Sequence, residues 1–541
     1  MEEYEKFTDE QTKILQRFVT NTTSNIFVLH NLPEVIKGAL FSRYSRSSLG
    51  LRSLLLKEFV LGEETEFASI VGKEAGGGGD QFIAIKKAQN FYDRILDGYG
   101  DDSIGELGGA HVAIENISML AAKMLEDRRI GGSPLEKSTR YIYFDQKVND
   151  QYLYYHEPII MTSAYRDIYL ETCDMLFETY SRLIPPMTEL MEKKFPKDPE
   201  ISKGAYNAAL RAKVLDCLRG LLPAGTLTNM GIFGNGRFWE GLIGNLQTRN
   251  LAELQAVGQS CYTELAKVIP SFVRRSEQGH HNQGALAQFL ESMHEQLKNV
   301  AEKHEIEEEE TVSGVRLISH DPESVFRVAA ALLYEKTEHS LEALYQHCRK
   351  LLPDQIAEIF DAASLVRENR RHKSPRALEH AFFTFEVVAD FGIYRDLHRH
   401  RMLTQERQLL TTNYGYFIPR EIEETPMEKE YHEAMTRAHE VYCMIAEELP
   451  EEAQYVVPMG YNVRWYFHVN LRALQWLCEL RSSPAGHPNY RHVAQEMAKQ
   501  VIRVHPAFEC FFKFVDYDGY ELGRLGQEQR KAEKMESKKH L

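Results

Sequence analysis

The chain has 541 residues, 43% hydrophobic and 26% charged, the balance of a soluble globular protein with two to four domains. No apolar run reaches the roughly 18 residues of a membrane-spanning helix. The 64 basic and 79 acidic residues give a net charge of −15, which argues against a nucleic-acid duplex as partner. Small anions stay open, because a local arginine cluster binds phosphate even on an acidic protein.

The start, Met1-Glu2-Glu3-Tyr4-Glu5, is acidic and lacks the apolar run of a signal peptide. Cysteines stand at 173, 217, 261, 348, 443, 478 and 510, an odd number without a CxxC pair. Neither a disulfide framework nor a zinc ribbon is suggested, and a reduced, cytoplasmic setting is expected. Gly76-Gly77-Gly78-Gly79 predicts a flexible surface loop. No Lys-Ser/Thr follows it, so it is not a P-loop.

Gly131-Gly132 and Pro134 open a predicted tight loop that carries Ser138, Thr139 and Arg140. Backbone N–H groups, a hydroxyl and a guanidinium can cradle a phosphate there. A turn with a surface arginine is the plain alternative. Tyr165, Ile168, Tyr169, Thr172 and Leu176 recur at helical spacing, as do Val325, Val328, Ala329, Leu332 and Leu333. Both stripes are expected to face a core.

An internal echo links the halves. Pro223 is followed after twelve residues by Asn235-Gly236-Arg237, and Pro458 after twelve by Asn470-Leu471-Arg472, an offset of 235 residues. Between them, Arg274 to Gly284 and the acidic block Glu305 to Glu310 flank a helically spaced segment and read as a linker. His280-His281 lacks partners at metal-ligand spacing, so no metal is expected. Ala381 to Val388 is aromatic and β-branched and predicts a strand. Helices and strands together predict an α+β fold with helices dominant. The tail from Gly526 lacks apolar anchors and is expected to fray.

His398-Arg399-His400-Arg401 is the richest cluster. Such charges repel each other unless an anion sits among them, and guanidinium forks suit phosphate or carboxylate. The alternative is a solvated helix end, where basic residues favour the macrodipole.

The context adds to this. Leu378-Glu379-His380, the Phe383-Thr384-Phe385 strand and, fourteen residues on, Arg399-His400-Arg401 resemble the flavin-dependent thymidylate synthases. Asn470-Leu471-Arg472-Ala473-Leu474 and Glu479-Leu480-Arg481 look like further elements of that family, in order, so the resemblance covers about residues 312–520. Where the family has a serine, position 409 is Leu; its Arg-Tyr is Thr411-Thr412, and its phosphate-binding arginine is Gln454. The first half is similar in the complementary way. Tyr99 to Glu106 matches a motif that has lost both histidines, and Arg128-Arg129-Ile130 stands at the Arg-His-Arg position. Glu136-Lys137-Ser138-Thr139-Arg140-Tyr141 keeps the nucleotide loop, and Arg219 sits four residues before Pro223. Asn235 and Arg237 match Asn-x-Arg, with Leu246 where the second half has Arg481.

The resemblance thus implies two tandem, degenerate copies, helix-rich with small central antiparallel sheets. The first copy is expected over 1–275, a linker over 276–311, the second copy over 312–525 and a frayed tail over 526–541. The resemblance implies FAD held by Arg399, His400, Arg401, Asn470, Arg472 and Glu379. It implies a nucleotide held by Glu136, Ser138, Arg140 and Arg219, and Arg481 and Ser138 as candidate catalytic residues. Arg481 would favour an ionised pyrimidine N3, since a fixed cation stabilises the anion. Glu106 is the first copy's counterpart of Glu379; either acid could instead be structural, paired to a neighbouring arginine. The implied reaction converts dUMP to dTMP with methylenetetrahydrofolate and NADPH at one hybrid site, the other nominal site being dead. In that family the sites lie between chains of a homotetramer, so a homodimer of this chain would mimic the tetramer. A flavoprotein acting on another pyrimidine, and a non-catalytic nucleotide- or flavin-binding regulator, are the alternatives.

Overall fold

The structure, a computed structural model, describes residues 6–45, 47–60, 105–304, 313–423 and 425–539. The tetraglycine segment, Tyr99 to Ile104 and the acidic block Glu305 to Glu310 lie outside the described residues.

The fold is α+β, and the echo in the sequence is an echo in the fold. In the first copy, β1 (Gly109–Ser118) runs into the helix Met119–Glu126, then β2 (Gly132–Glu136) follows. β3 (Leu227–Asn235) then leads into the helix Gly236–Gln247. The second copy starts with β4 (Gly314–His320). There β5 (Phe382–Asp390) runs into the helix Phe391–Leu397, β6 (Leu403–Arg407) follows, and β7 (Asn462–Asn470) leads into the helix Leu471–Arg481. The sheets have orders β1-β3-β2 and β4-β5-β7-β6. In both, the last strand of the copy sits between the two strands that precede it in the chain. Pairing is antiparallel between β2 and β3 and throughout the second sheet.

Local chemistry explains the repeated strand-to-helix turns. Each strand ends on a residue whose short polar side chain caps the next helix. Ser118 Oγ accepts from Ala121 N–H at 2.9 Å and Asp390 Oδ1 from Ile393 N–H at 3.0 Å. Asn235 and Asn470 accept from Phe238 N–H at 2.8 Å and Ala473 N–H at 2.9 Å. Along β5, Phe383, Phe385 and Val387 are buried while Phe382 is exposed, the alternation of a one-sided sheet. The two helical stripes lie in the helices Arg166–Lys194 and Ser324–Tyr334, where Tyr169, Thr172, Leu176, Val328 and Ala329 are buried.

Contacts divide the chain into two compact units. One holds Met1–Glu115, Ile130–Glu136 and Asn229–Ile306; the other holds Asn116–Arg129, Lys137–Thr228 and Glu307–Leu541. The second unit therefore contains parts of both copies.

Within that unit the copies meet around a local two-fold relation. Pro223 and Pro458 are paired, and Ala224 N–H donates to Val457 O (2.8 Å) while Met459 N–H donates to Leu222 O (2.9 Å). Gly225 N–H donates to Tyr455 O (2.9 Å) and Gly460 N–H to Gly220 O (2.8 Å). Under the 235-residue offset each bond is the image of the other in its pair. This is the self-complementary pattern of a C2 interface, built inside one chain. Gly220 permits the close approach: a Cβ there would lie 2.5 Å from the Tyr431 hydroxyl.

Two expectations are corrected. The tail is not frayed: Leu525–Lys539 is a helix packed along the helix Lys203–Leu218. Its anchor is polar, Arg524 paired with Glu528 one turn on at 3.1 Å, which a search for apolar anchors misses. Gly132 to Pro134 do not open a loop but lie in β2, whose last residue Glu136 stands opposite Met230 in the first unit. Ser138, Thr139 and Arg140 belong to the second unit.

Candidate active site: a basic cleft beside a buried charge cluster

A cleft of about 490 Å³ opens in the second unit. Arg367, Arg370, Lys373, Arg399, Arg401, Arg472 and Arg481 line it, against one lining carboxylate, Glu379. Every residue assigned above to the flavin (Arg399, His400, Arg401, Asn470, Arg472 and Glu379) is on its wall, together with Arg481 and the indole of Trp476. Two acids neutralise part of the wall. Glu479 holds Arg367 through two 2.5 Å contacts, and Glu379 holds Arg472 at 2.7 Å, whose Nε also donates to Ser374 O at 2.8 Å. The excess of lining cations over lining carboxylates suits an anionic ligand.

Arg481, the last residue of its helix, donates from Nε to His400 Nε2 at 3.0 Å. An arginine only donates, so this imidazole nitrogen carries a lone pair and His400 is neutral. Burial, Arg481 and His398 together push its pKa well below the ordinary value. A neutral acceptor fixes the direction of the Arg481 guanidinium without adding charge to a basic wall.

The first copy's arginines enter the same unit through buried acids. Arg140 points its fork at Asp216, with Nε–Oδ1 and Nη2–Oδ2 both at 2.6 Å, and Nη1 donates to the Tyr490 hydroxyl at 3.2 Å. Burial works against the Asp216 anion, but Arg140 and, more weakly, His487 and Arg219 hold its pKa down at about 2. Ser138 Oγ accepts the Arg140 N–H at 3.2 Å and shapes the turn. Arg219 is buried, with Nη1 3.5 Å from Asp396 Oδ2, and its Nη2 has no hydrogen-bond partner. Asp396 is the hub. Burial raises its pKa, but Arg219, Arg481, Arg140 and Arg399 outweigh that and hold it well below the carboxylate range. Two of those arginines come from each copy. The Tyr490 ring likewise has Arg140 at 5.8 Å and Arg481 at 5.5 Å.

The matches with known proteins follow this pattern. Residues 64–271 and 316–507 each match the family described as thymidylate synthase complementing protein. The chain belongs to that family. It is 57% identical to a UPF0159 protein of Chlamydia muridarum, over 97% of this chain and 98% of the relative. It is 33% identical to a UPF0159 protein of Thermoplasma acidophilum, over 92% of this chain and 98% of that one. A flavin-dependent thymidylate synthase of Thermotoga neapolitana is 27% identical over 28% of this chain and 76% of its own length.

The two family segments meet again at a buried seam. Glu126 Oε2 lies 2.5 Å from Lys123 Nζ, 3.0 Å from His398 Nε2 and 3.7 Å from Arg399 Nε. Burial raises the Glu126 pKa, but Lys123, His398 and Arg399 more than offset it and keep the carboxylate charged. Removing one partner of a buried ion pair leaves the other uncompensated. Glu126→Gln is therefore expected to lower unfolding free energy by about 3–5 kcal/mol, read by denaturant titration; an unchanged midpoint would show that the seam carries no energy.

At the second copy's position equivalent to Arg219, protein groups bond to one another. Gln454, the counterpart of Arg219, accepts from Leu410 N–H at 3.1 Å and Arg407 Nη1 at 3.4 Å. Leu410 and Gln454 are fully buried. In the first unit, Glu106 and Arg237 pair at 2.8 Å, the counterpart of Glu379 and Arg472, but both are half exposed and Leu246 replaces Arg481.

Sequence reasoning did not single out Asp216, Asp396, Glu126, His487 or Tyr490. A carboxylate one helical turn before a chosen arginine (Asp216 before Arg219) is the one local signal that could have found any of them.

Proposed function

We propose that the chain carries one flavin-dependent thymidylate synthase-type site, assembled from both copies, that converts dUMP to dTMP. The observation that carries this reading is that first-copy and second-copy groups meet here: Arg219 lies 3.5 Å from Asp396, and Arg140 and Arg481 share the Tyr490 ring. The residues of the cleft fit FAD: cationic forks for the pyrophosphate, and Trp476 and Met402 on the wall for a flat ring. When bound, FAD supplies the redox chemistry, passing reducing equivalents from NADPH toward the carbon that methylenetetrahydrofolate donates.

The chain's own residues bind and polarise. Arg399 and Arg401 bring charge to the cofactor phosphates. Arg219 offers its unpartnered Nη2 to the nucleotide phosphate, with Ser138 and Arg140 on the neighbouring turn. Arg481, aimed by neutral His400, faces the pyrimidine and stabilises negative charge at N3. A homodimer completes the proposal, each chain standing in for two subunits.

A second reading is a changed pyrimidine substrate. Asp216 favours it, since that carboxylate already occupies both arms of the Arg140 fork.

An anaerobic assay of purified protein with FAD, NADPH, dUMP and methylenetetrahydrofolate, followed by dTMP, is the test. Ser138→Ala and Arg399→Ala are each expected to remove activity. Yellow protein that makes no dTMP points to the changed substrate; colourless, inactive protein overturns the flavin reading.

A further inference from the structure

The last stretch of the chain lies beyond both family segments, the second of which ends at residue 507. It is nevertheless anchored at both sides of the charge cluster. Asp516 N–H donates to Ser482 Oγ at 3.0 Å, directly after Arg481. Arg491 holds Asp518 O at 2.9 Å and lies over the Tyr520 ring at 4.8 Å. Gly523 packs so closely on the Pro484 carbonyl that a Cβ there would lie 1.9 Å from its oxygen. The next carbonyl, Ala485 O, is 3.5 Å from both Nη atoms of Arg140. Then Arg524, 7% exposed, lays its guanidinium 4.2 Å from the centroid of Tyr141, the residue after Arg140. Glu528 fixes that guanidinium from the following turn at 3.1 Å.

We infer that the C-terminal segment is a strap from Ser482 to Tyr141, and that Arg524 is a positioning residue for the Ser138–Tyr141 turn. The inference rests on the reading that this turn binds the nucleotide. A flexible turn would have to be ordered when ligand arrives, at a cost in affinity; a turn already clamped through Tyr141 does not. The cation over the ring supplies the clamp, and its burial strengthens it.

The test uses full-length protein carrying Arg524→Ala, Arg524→Lys and Tyr141→Leu. Amide hydrogen exchange across residues 138–141 reads the strap with no ligand present. Exchange is expected to rise about tenfold in Arg524→Ala and Tyr141→Leu and to return toward the parent rate in Arg524→Lys, which keeps a cation over the ring. In turnover, Arg524→Ala is expected to raise KM for dUMP about tenfold while kcat stays within about twofold and flavin content is unchanged. Unchanged exchange in Arg524→Ala overturns the strap. Equal loss of flavin and nucleotide binding, tracking a fall in Tm and not restored by lysine, assigns Arg524 to general stability and overturns the positioning role. If the exchange pattern holds and the parent protein neither binds nor converts dUMP, the strap stands and the functional reading falls.

Discussion

Arg219→Ala is expected to lower dTMP formation at subsaturating dUMP by about a hundredfold. A charge-assisted hydrogen bond contributes roughly 1.5–3 kcal/mol, and about 1.4 kcal/mol is a factor of ten. Arg219 also supports its neighbours. Burial raises the Asp390 pKa and Arg219 is the first group that opposes it, so losing the guanidinium moves Asp390 further toward its neutral form. Flavin should stay bound, since Arg219 is not on the wall of the basic cleft. The counterpart change, Gln454→Ala, should cost stability, about 1–3 kcal/mol for an unsatisfied buried amide N–H. Activity per folded molecule should then stay within about threefold, because Gln454 binds the protein's own backbone. Steady-state dTMP assays with flavin absorbance on the same samples separate the two. Equal losses in both variants would mean two live sites and would sink the hybrid arrangement.

Acidification is expected to destabilise the protein from about pH 6.5 downward, through His487. The ring is buried, its Nδ1 accepts from Asn489 N–H at 3.2 Å, and Nε2 lies 3.4 Å from Asp216 O. Burial first, then Arg219, push its pKa from 6.5 down to about 3, against the opposing pull of Asp216. The unfolded chain gains a proton as pH falls through the ordinary value, while the folded chain does not until near the lowered one. Stability is therefore full above about 6.5 and is lost by about 1.4 kcal/mol per pH unit across that window. His400, also held neutral by burial and Arg481, adds in the same direction. Asp216 adds a further loss only between its ordinary 3.8 and about 2. His487→Asn keeps a capping acceptor for Asn489 N–H and should flatten the slope between pH 6.5 and 5. Urea midpoints across that range decide the matter; parallel slopes in parent and variant would remove His487 from the account.

The legible parts of the molecule were those governed by neighbours in sequence. The alternation around Phe383-Thr384-Phe385 marks β5, and Asn-x-Arg at 235 and 470 marks two capped helix starts, because strand faces and caps are short-range. The basic wall was legible in Arg399-His400-Arg401 for the same reason. The acids that organise the site were not. Asp216 meets Arg140 across 76 positions and Asp396 meets Arg219 across 177, separations at which one sequence carries no pairing signal. The tail failed differently: its helix is held by Arg524, whose charge reads as solvated until its burial is seen.

The paired turns at Pro223 and Pro458 have an evolutionary consequence. At a true dyad every substitution is written twice, so a change that helps one side of the axis is imposed on the other. Here the two sides are separate codons of one gene. Position 219 can be an arginine with an unpartnered Nη2 while position 454 is a glutamine that seals a turn. Covalent linkage also keeps the two sides together at any dilution, so a weaker seam is tolerated than free subunits would need. Asymmetric inheritance of this kind leaves the backbone symmetric and concentrates divergence in the side chains around the axis.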